Sequence, residues 1–408
     1  MMIYYHRLMF FAGLCVSLCL IICTTVWAAN DEKIYSMSLT RQQSQLEMLI
    51  KDPNYKNKLK QIEKRRPKNE NVTLFKYLDT EYYAVVDVGK PAQKFKVIFD
   101  TTRGDMWIPS KLCSKIMYPI CGKKNLYDAS ISSTHKTIDP PRPFDVAGLV
   151  GTLTCDTVRL AHLNVSDLIF AEVREIPNIT DYDTMYADGV IGLGYNSLSK
   201  TTDEPFFYKL LAQKKIEKPI FSFFLNRDVT TNKGGSIFLG GVSKKHMKTD
   251  MVYVPVIEKS YWTIKLDQFS IHMNKTYSKT FCNPSCKVIL DTSTNKIGVP
   301  PEQVVEINSL IGAVEYKYNR YAVNCSQVQK LPTITLRIGS HDFDIHGRHY
   351  IQKMETKFGE LICLSAFCKS GVTGVWTLGG AFLSSVYTAF DLGNNLVGFS
   401  SLINTNPR

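Results

Sequence analysis

After residue 27 the sequence has no apolar run long enough to span a bilayer, which excludes a multi-span membrane protein. Zinc-finger spacing, an RNA-binding signature and a long basic helix are also missing, so the net charge of +12 indicates a basic solvated surface rather than a nucleic-acid-binding protein. Charged residues are 21% of the chain, too few for a disordered protein. Only 24 of 408 residues are glycine, too few for collagen. With 44% hydrophobic residues, the sequence indicates a globular protein of two or three domains.

The sequence gives little support for a metal or a cofactor. The densest set of potential metal ligands lies between His341 and His349, but alternating residues of a strand point to opposite faces. Gly189–Gly194 superficially resembles a dinucleotide loop, yet its glycine spacing is wrong and no βαβ unit surrounds it. Ser/His/Asp and Cys/His residues are only scattered. We therefore expect no metal and no cofactor.

The N-terminus has the pattern of a secretory signal peptide. Met1–Arg7 carries one positive charge, Leu8–Trp27 is continuously apolar or small, and Val26-Trp27-Ala28 resembles a cleavage site. We predict a signal peptide over residues 1–28, with an uncleaved signal-anchor as the alternative because the apolar run is long. The expected location is the exterior or the lumen of an acidic secretory or lysosomal compartment.

The numbers of cysteines and sequons agree with export. Three cysteines lie in the predicted signal, and the eight that remain, an even number, suit an oxidising compartment. Five N-glycosylation sequons together indicate a glycosylated product. The remaining cysteines are residues 113, 121, 155, 282, 286, 325, 363 and 368, and the sequon asparagines are Asn71, Asn164, Asn178, Asn274 and Asn324.

A basic segment precedes the body of the protein. Residues 30–67 hold nine Lys/Arg against five Asp/Glu, with a helical-looking stretch at Gln42–Ile50 and a charge run at Lys51–Arg66. One interpretation is a solvated tail. The other is a pro-segment over residues 29–70 whose cations cover an acidic site in the body.

Two segments 191 residues apart repeat one another. Val97–Pro109 and Val288–Pro300 align at Asp100 and Asp291, with apolar residues and the final proline kept in place. A repeat spaced at about half the body predicts two related lobes. Strand-like runs such as Tyr82–Val88 dominate both halves, and helical periodicity is confined to short stretches, so we predict an all-β fold. The helical stretches are Glu204–Ile216 and Pro301–Ile311.

Each repeat places an aspartate where a buried strand ends. Two lobes then offer Asp100 and Asp291 at one cleft, where closely spaced carboxylates share a proton. One form activates a water while the other polarises a carbonyl, which is the chemistry of acid peptide hydrolysis. The alternative is that each aspartate only caps a turn.

Tyr77 to Ser401 resembles the pepsin-like aspartic protease family. The resemblance implies two β lobes around a substrate cleft, a removable pro-segment, a flap hairpin from the N-terminal lobe, and a catalytic pair at Asp100 and Asp291. We place the lobes at residues 71–245 and 246–408. The matching stretches are Tyr77–Tyr82, Val97–Ser110, Ala187–Gly194, Gly235–Gly241, Tyr261-Trp262 with Leu266-Asp267, Cys282–Pro300 and Trp376–Phe399.

The same resemblance implies supporting roles. Thr101 and Thr292 match threonines that lock the two aspartate loops together, Thr294 matches a hydroxyl residue beside its aspartate, and Trp107 matches the partner of the flap hydroxyl. It leaves Cys155 without a partner, and also Cys368, so these two are free, bridged to each other or intermolecular. The implied disulfides are Cys113–Cys121, Cys282–Cys286 and Cys325–Cys363.

Both aspartate loops depart from the family pattern. The glycine after Asp-Thr is Thr102 in one loop and Ser293 in the other. Each residue still supplies its N–H to the aspartate, but we expect its Cβ and hydroxyl to compete for the space of the water or the scissile bond. Arg103 replaces a hydroxyl residue, and its guanidinium either favours the doubly ionised dyad or extends away to solvent or to Asp105.

The flap departs as well. Phe144 stands at the position of the flap tyrosine and Asp145 at that of the next glycine, so the hydroxyl directed towards Trp107 is missing. Prolines 140, 141 and 143 crowd the ascending arm of the hairpin, where proline cannot donate to a ladder.

Such departures resemble weakly catalytic or non-catalytic members of the fold, such as an aspartic-protease-like allergen of cockroaches. We predict reduced or lost proteolysis, with a binding role as one outcome, and a fully active acid endopeptidase as the alternative. The expected partners are a polypeptide substrate or protein ligand in the interlobe cleft and the chain's own pro-segment. We expect a monomer that does not bind nucleic acid.

Overall fold

The structure is a computed structural model that describes residues 33–42, 51, 82–176, 185–201, 203–227, 233–316, 320–356 and 359–403. The chain divides into two compact units, Met1–Lys33 and Ile34–Arg408. All elements given below lie in the second unit. The predicted signal peptide, the charge run at Lys51–Arg66 apart from Lys51, the predicted helix at Gln42–Ile50 apart from Gln42, Asn71 and Asn178 lie outside the described residues.

Strands dominate the described residues, as predicted, and the α-helices are short. The helices are α1 (Phe206–Ala212), α2 (Val304–Leu310), α3 (Gly347–Tyr350) and α4 (Gly380–Leu383). The strands are β1 (Tyr35–Arg41), β2 (Tyr82–Val88), β3 (Gln93–Asp100), β4 (Met106–Pro109), β5 (Pro143–Val146), β6 (Leu149–Leu160), β7 (Leu163–Glu175), β8 (Gly189–Gly192), β9 (Ile220–Leu225), β10 (Lys233–Leu239), β11 (Val252–Pro255), β12 (Thr263–Leu266), β13 (Gln268–His272), β14 (Ser278–Phe281), β15 (Cys286–Leu290), β16 (Ile297–Val299), β17 (Val314–Tyr316), β18 (Arg320–Val323), β19 (Thr333–Ile338), β20 (His341–Ile345), β21 (Ile351–Glu355), β22 (Leu361–Ser365), β23 (Phe367–Lys369), β24 (Trp376–Leu378), β25 (Val386–Asp391) and β26 (Leu396–Ser401).

Both predicted helical stretches contain helices, α1 in the first and a 3₁₀ turn followed by α2 in the second. Four sheets are described: one of thirteen strands, one of five and two of four. The fold is therefore the mostly β architecture with a few short helices that the sequence predicts.

The sequence repeat is also a repeat of topology. β3 pairs in parallel with β8, β8 is antiparallel to β4, and β4 is parallel to β7. In the other half β15 is parallel to β24, β24 is antiparallel to β16, and β16 is parallel to β23. The residues just before each aspartate are buried on both faces of their strand, as is typical of strands inside parallel sheets, which explains why they form an apolar run instead of alternating.

The first described strand comes from the basic N-terminal segment. β1 pairs antiparallel with β10, from Tyr35 opposite Leu239 to Thr40 opposite Lys233. It continues onto β2 at Thr40 and Arg41. This part of the segment is therefore a strand of the largest sheet, and the solvated-tail interpretation is wrong for β1.

The described disulfides are Cys113–Cys121, Cys282–Cys286 and Cys325–Cys363, the pairs that the family resemblance implies. Cys155 is a buried free thiol in β6, and its burial raises the pKa of the thiol. Cys368 lies in β23, in another sheet.

Candidate active site

The two sheets place Asp100 and Asp291 at equivalent positions. Asp100 is the last residue of β3 and pairs with Gly192 of β8, whereas Asp291 directly follows β15 and donates its N–H to the carbonyl of Leu378 at 3.0 Å. Both aspartates are buried. A parallel neighbour strand therefore fixes the backbone at each aspartate.

Thr101 and Thr292 hold the two aspartate loops against each other. The N–H of Thr101 donates to Oγ1 of Thr292 at 3.2 Å, and the N–H of Thr292 donates to Oγ1 of Thr101 at 3.1 Å. The two hydroxyls donate across the same junction, from Thr101 to the carbonyl of Leu290 at 2.7 Å and from Thr292 to that of Phe99 at 2.6 Å. Because each threonine adjoins its aspartate, this junction brings Asp100 and Asp291 to one site.

The substituted residues bond to the aspartates that precede them. Oδ1 of Asp100 accepts the N–H of Thr102 at 2.7 Å and its hydroxyl at 2.6 Å. Oδ1 of Asp291 accepts the N–H of Ser293 at 2.9 Å and its hydroxyl at 2.6 Å. The N–H contacts are those expected from the sequence, but the hydroxyls turn back onto the carboxylates. A glycine at either position supplies only the first of the two bonds.

These additional hydroxyl bonds concern the two carboxyl groups that acid peptide hydrolysis uses. A hydrogen bond donated to a carboxylate favours its ionised form, and here the hydroxyl of Thr102 or Ser293 adds one to each aspartate. Acid peptide hydrolysis needs one protonated and one ionised carboxyl group. Each aspartate therefore accepts one more hydrogen bond from its own loop than a glycine at residue 102 or 293 can supply.

The residues next to the loops have their own partners. Asp105 accepts hydrogen bonds from the hydroxyl of Ser199 at 2.7 Å and from the N–H of Lys200 at 3.0 Å. The carbonyl of Arg103 accepts the N–H of Gly194 at 2.7 Å. Thr294 is buried, and its hydroxyl accepts the N–H of Lys296 at 3.3 Å. These bonds hold the ends of both aspartate loops in place.

The flap is the hairpin of β5 and β6. Its turn is Ala147-Gly148, where both residues have positive φ, 52° and 80°. Such a turn matches the right-handed twist of the flanking strands. Gly151 lies opposite Phe144, and a Cβ there would meet the carbonyl oxygen of Glu172 at 2.2 Å, so only glycine fits.

Phe144 does not project into solvent. It is buried in an apolar cluster that also contains Trp107, Leu149 and Val190. Asp145 is exposed beside it. The phenyl ring therefore keeps the packing of an aromatic flap residue, although no hydroxyl is present. Pro143 is accommodated in β5, opposite Thr152.

Two buried acids in β6 and β7 were not singled out in the sequence. Glu172 of β7 accepts a hydrogen bond from the hydroxyl of Ser110. Asp156 of β6 accepts one from the hydroxyl of Tyr127 at 2.6 Å, and burial together with this bond raises the pKa of Tyr127 well above its usual range. The signal available in the sequence is an acid inside an apolar strand, which points to a buried partner.

The described residues contain no group of three or more His, Cys, Asp or Glu side chains that could hold a metal ion. They also contain no helix that is long and apolar enough to cross a membrane. The sequon residues Asn164, Asn274 and Asn324 are exposed.

Comparison with known proteins identifies the family. The family model described as eukaryotic aspartyl protease matches residues 81–402. Cathepsin D of Gallus gallus is 35% identical over 335 residues, which cover 80% of this chain and 82% of that protein. Cathepsin D of Mus musculus is 34% identical over 344 residues, covering 80% and 82%, and that of Dictyostelium discoideum is 33% identical over 329 residues, covering 80% and 84%. The chain therefore belongs to the pepsin-like eukaryotic aspartyl protease family, as its two aspartate motifs predict.

Proposed function

We propose that the chain is a secretory, zymogen-like aspartic endopeptidase with reduced activity, which hydrolyses polypeptides slowly and only in acid. The observation that carries this proposal is the pair of hydroxyl bonds within the aspartate loops, Thr102 to Asp100 and Ser293 to Asp291, each 2.6 Å long. The catalytic residues are Asp100 and Asp291.

In this mechanism the ionised aspartate takes a proton from a water molecule as the water attacks the peptide carbonyl. The protonated aspartate donates a hydrogen bond to the carbonyl oxygen. Two hydroxyl donors stabilise both carboxylates, so the singly protonated pair forms only at lower pH. They also make the ionised aspartate a weaker base, which slows removal of the proton from water.

The substrate or ligand is a polypeptide held in the cleft between the lobes 71–245 and 246–408, under the flap. Phe144 of the flap packs in the same buried apolar cluster as Trp107 and so anchors the flap to the N-terminal lobe. The junction between Thr101 and Thr292 keeps the aspartates together, as peptide hydrolysis requires. We propose a monomer without a cofactor and without nucleic-acid binding.

The pairing of β1 with β10 supports a zymogen-like state. A segment that lies before the family match occupies a place in the largest sheet, so its removal needs a change in that sheet. The basic residues that follow β1 are proposed to cover the aspartates at neutral pH and to leave when acid protonates them. The signal pattern, disulfides and exposed sequons support a secreted or lumenal location in an acidic compartment.

The test compares acid-treated full-length protein with a double Thr102→Gly, Ser293→Gly variant on an unfolded protein substrate. At about pH 4 we expect slow cleavage that Asp100→Asn abolishes, and an increase of about tenfold or more in the double variant. Fast cleavage by the unmodified chain that the double variant does not increase would establish the fully active endopeptidase instead. If the double variant is folded but inactive, the result favours a binding protein with the fold of a protease.

A further inference from the structure

The loop after β4 holds three large apolar side chains in solvent. Leu112 is 63% exposed, Ile116 93% and Met117 68%. Single exposed apolar residues are ordinary on protein surfaces. Three of them within six positions form a local apolar patch, and such patches mark contact surfaces.

This loop has a fixed shape. The disulfide Cys113–Cys121 closes it, and both cysteines are buried with Ile120 in the apolar cluster beneath the flap. Tyr118 adds two hydrogen bonds that fix the loop. Its hydroxyl donates to Glu175 at 2.7 Å, and its carbonyl accepts the N–H of Cys121 at 2.9 Å. The tips of Ile116 and Met117 are therefore held outward by a structure anchored in the core.

The loop itself carries only positive charge, and the carboxylates of Glu175, bonded to Tyr118, and Asp128 contact it. Residues 111–127 contain four lysines and no aspartate or glutamate. Lys111 pairs with Asp128 at 2.6 Å, and Lys124 donates to the carbonyl of Ala187 at 2.6 Å. Lys115 and Lys123 are exposed and form no ion pair with any residue that the structure describes.

We propose that this loop, residues 112–123, docks on an anionic lipid bilayer. Ile116 and Met117 enter the boundary between headgroups and acyl chains, and Lys115 and Lys123 lie beside the lipid phosphates. Apolar tips next to cations are the combination that binds such surfaces, since burial of apolar area and attraction to anionic lipid headgroups act together. Docking here does not depend on peptide hydrolysis.

The experiment is co-sedimentation of the full-length protein with vesicles. One set contains phosphatidylcholine with about one third phosphatidylserine, and the other phosphatidylcholine alone. We expect reversible binding to the anionic vesicles that added salt weakens, because screening reduces the lysine contribution. Ile116→Ser with Met117→Ser is expected to lower the partition coefficient about tenfold, and Lys115→Gln with Lys123→Gln by a similar factor.

The matched control is Val305→Ser with Val314→Ser. These side chains are 63% and 70% exposed, compared with 93% for Ile116 and 68% for Met117, and they lie elsewhere on the surface. The control pair is expected to bind vesicles like the unmodified chain, and melting temperatures verify that all variants are folded. The proposal is overturned if the loop variants and the control behave alike, or if anionic lipid makes no difference. Self-association of the unmodified chain that only the loop variants lose would also overturn it, because it assigns the patch to a second copy.

Discussion

Thr101 and Thr292 form a reciprocal pair in which each N–H donates to the hydroxyl oxygen of the other residue, at 3.2 and 3.1 Å. The pair spans 191 positions of sequence, and both residues are buried. Because each threonine directly follows one of the two aspartates, the pair links the two aspartate loops.

The first prediction concerns this pair. Thr101→Val keeps the shape of the side chain but leaves buried groups of both loops without a partner. We expect the free energy of unfolding to fall by about 1–3 kcal/mol and proteolysis to be lost. Thr388→Val is the control, since among the described residues the hydroxyl of Thr388 has no hydrogen-bond partner although it is buried. Denaturant unfolding of the two variants checks the expectation, and equal losses would contradict it.

The second prediction separates hydrogen bonding from crowding at Thr102. Thr102→Val removes the hydroxyl donated to Asp100 but keeps the volume, whereas Thr102→Ser keeps the hydroxyl. If the hydroxyl stabilises the ionised pair, the valine variant retains activity to higher pH and the serine variant does not. The measurement is the dependence of kcat/KM on pH for both. Equal shifts in valine and glycine variants support hydrogen bonding, and a gain confined to glycine would show that volume limits the rate.

The third prediction concerns the N-terminal strand. Leu39 is the buried side chain of β1, and Met37 is only partly buried. Leu39→Ala is expected to weaken the attachment of β1 by about 2–4 kcal/mol, and Met37→Ala by less. If β1 holds the zymogen-like state, acid treatment then releases the N-terminal segment sooner in the leucine variant. Limited proteolysis during acidification measures the release, and identical time courses would argue against this role of β1.

The fourth prediction is a pH dependence of stability. Burial and the neighbouring Arg348 and Arg227 lower the pKa of His349 from 6.5 to about 3. Between these values the unfolded chain binds a proton that the folded protein excludes, so stability is full above pH 6.5 and falls as the pH decreases. At about pH 4 the loss is about 3 kcal/mol. His349→Gln is expected to remove it.

Thermal unfolding at about pH 7 and pH 4 tests this expectation. His162→Gln, in an exposed turn, is the control and is expected to keep the pH dependence of the unmodified chain. If the His349 variant loses as much stability between these two pH values as the unmodified chain, the loss belongs to other groups.

The sequence alone determined the catalytic candidates and the type of fold. Asp100 and Asp291 stand out because a buried strand with parallel neighbours needs an apolar run, and the same run occurs twice before an aspartate. The short helices α1 and α2 follow from local periodicity. The three disulfides were predicted from the family resemblance, because the positions of the cysteines in the sequence match the family's cysteine pattern.

Tertiary structure alone decided where side chains and strands find their partners. The pairing of β1 with β10 joins segments about 200 positions apart, and no local pattern in Tyr35–Arg41 specifies β10 as the partner strand. The hydroxyls of Thr102 and Ser293 were expected to enter the cleft, but rotation about one side-chain bond turns them onto the carboxylates. Sequence specifies which groups are present, whereas their direction depends on the backbone conformation and on neighbours that are distant in the chain.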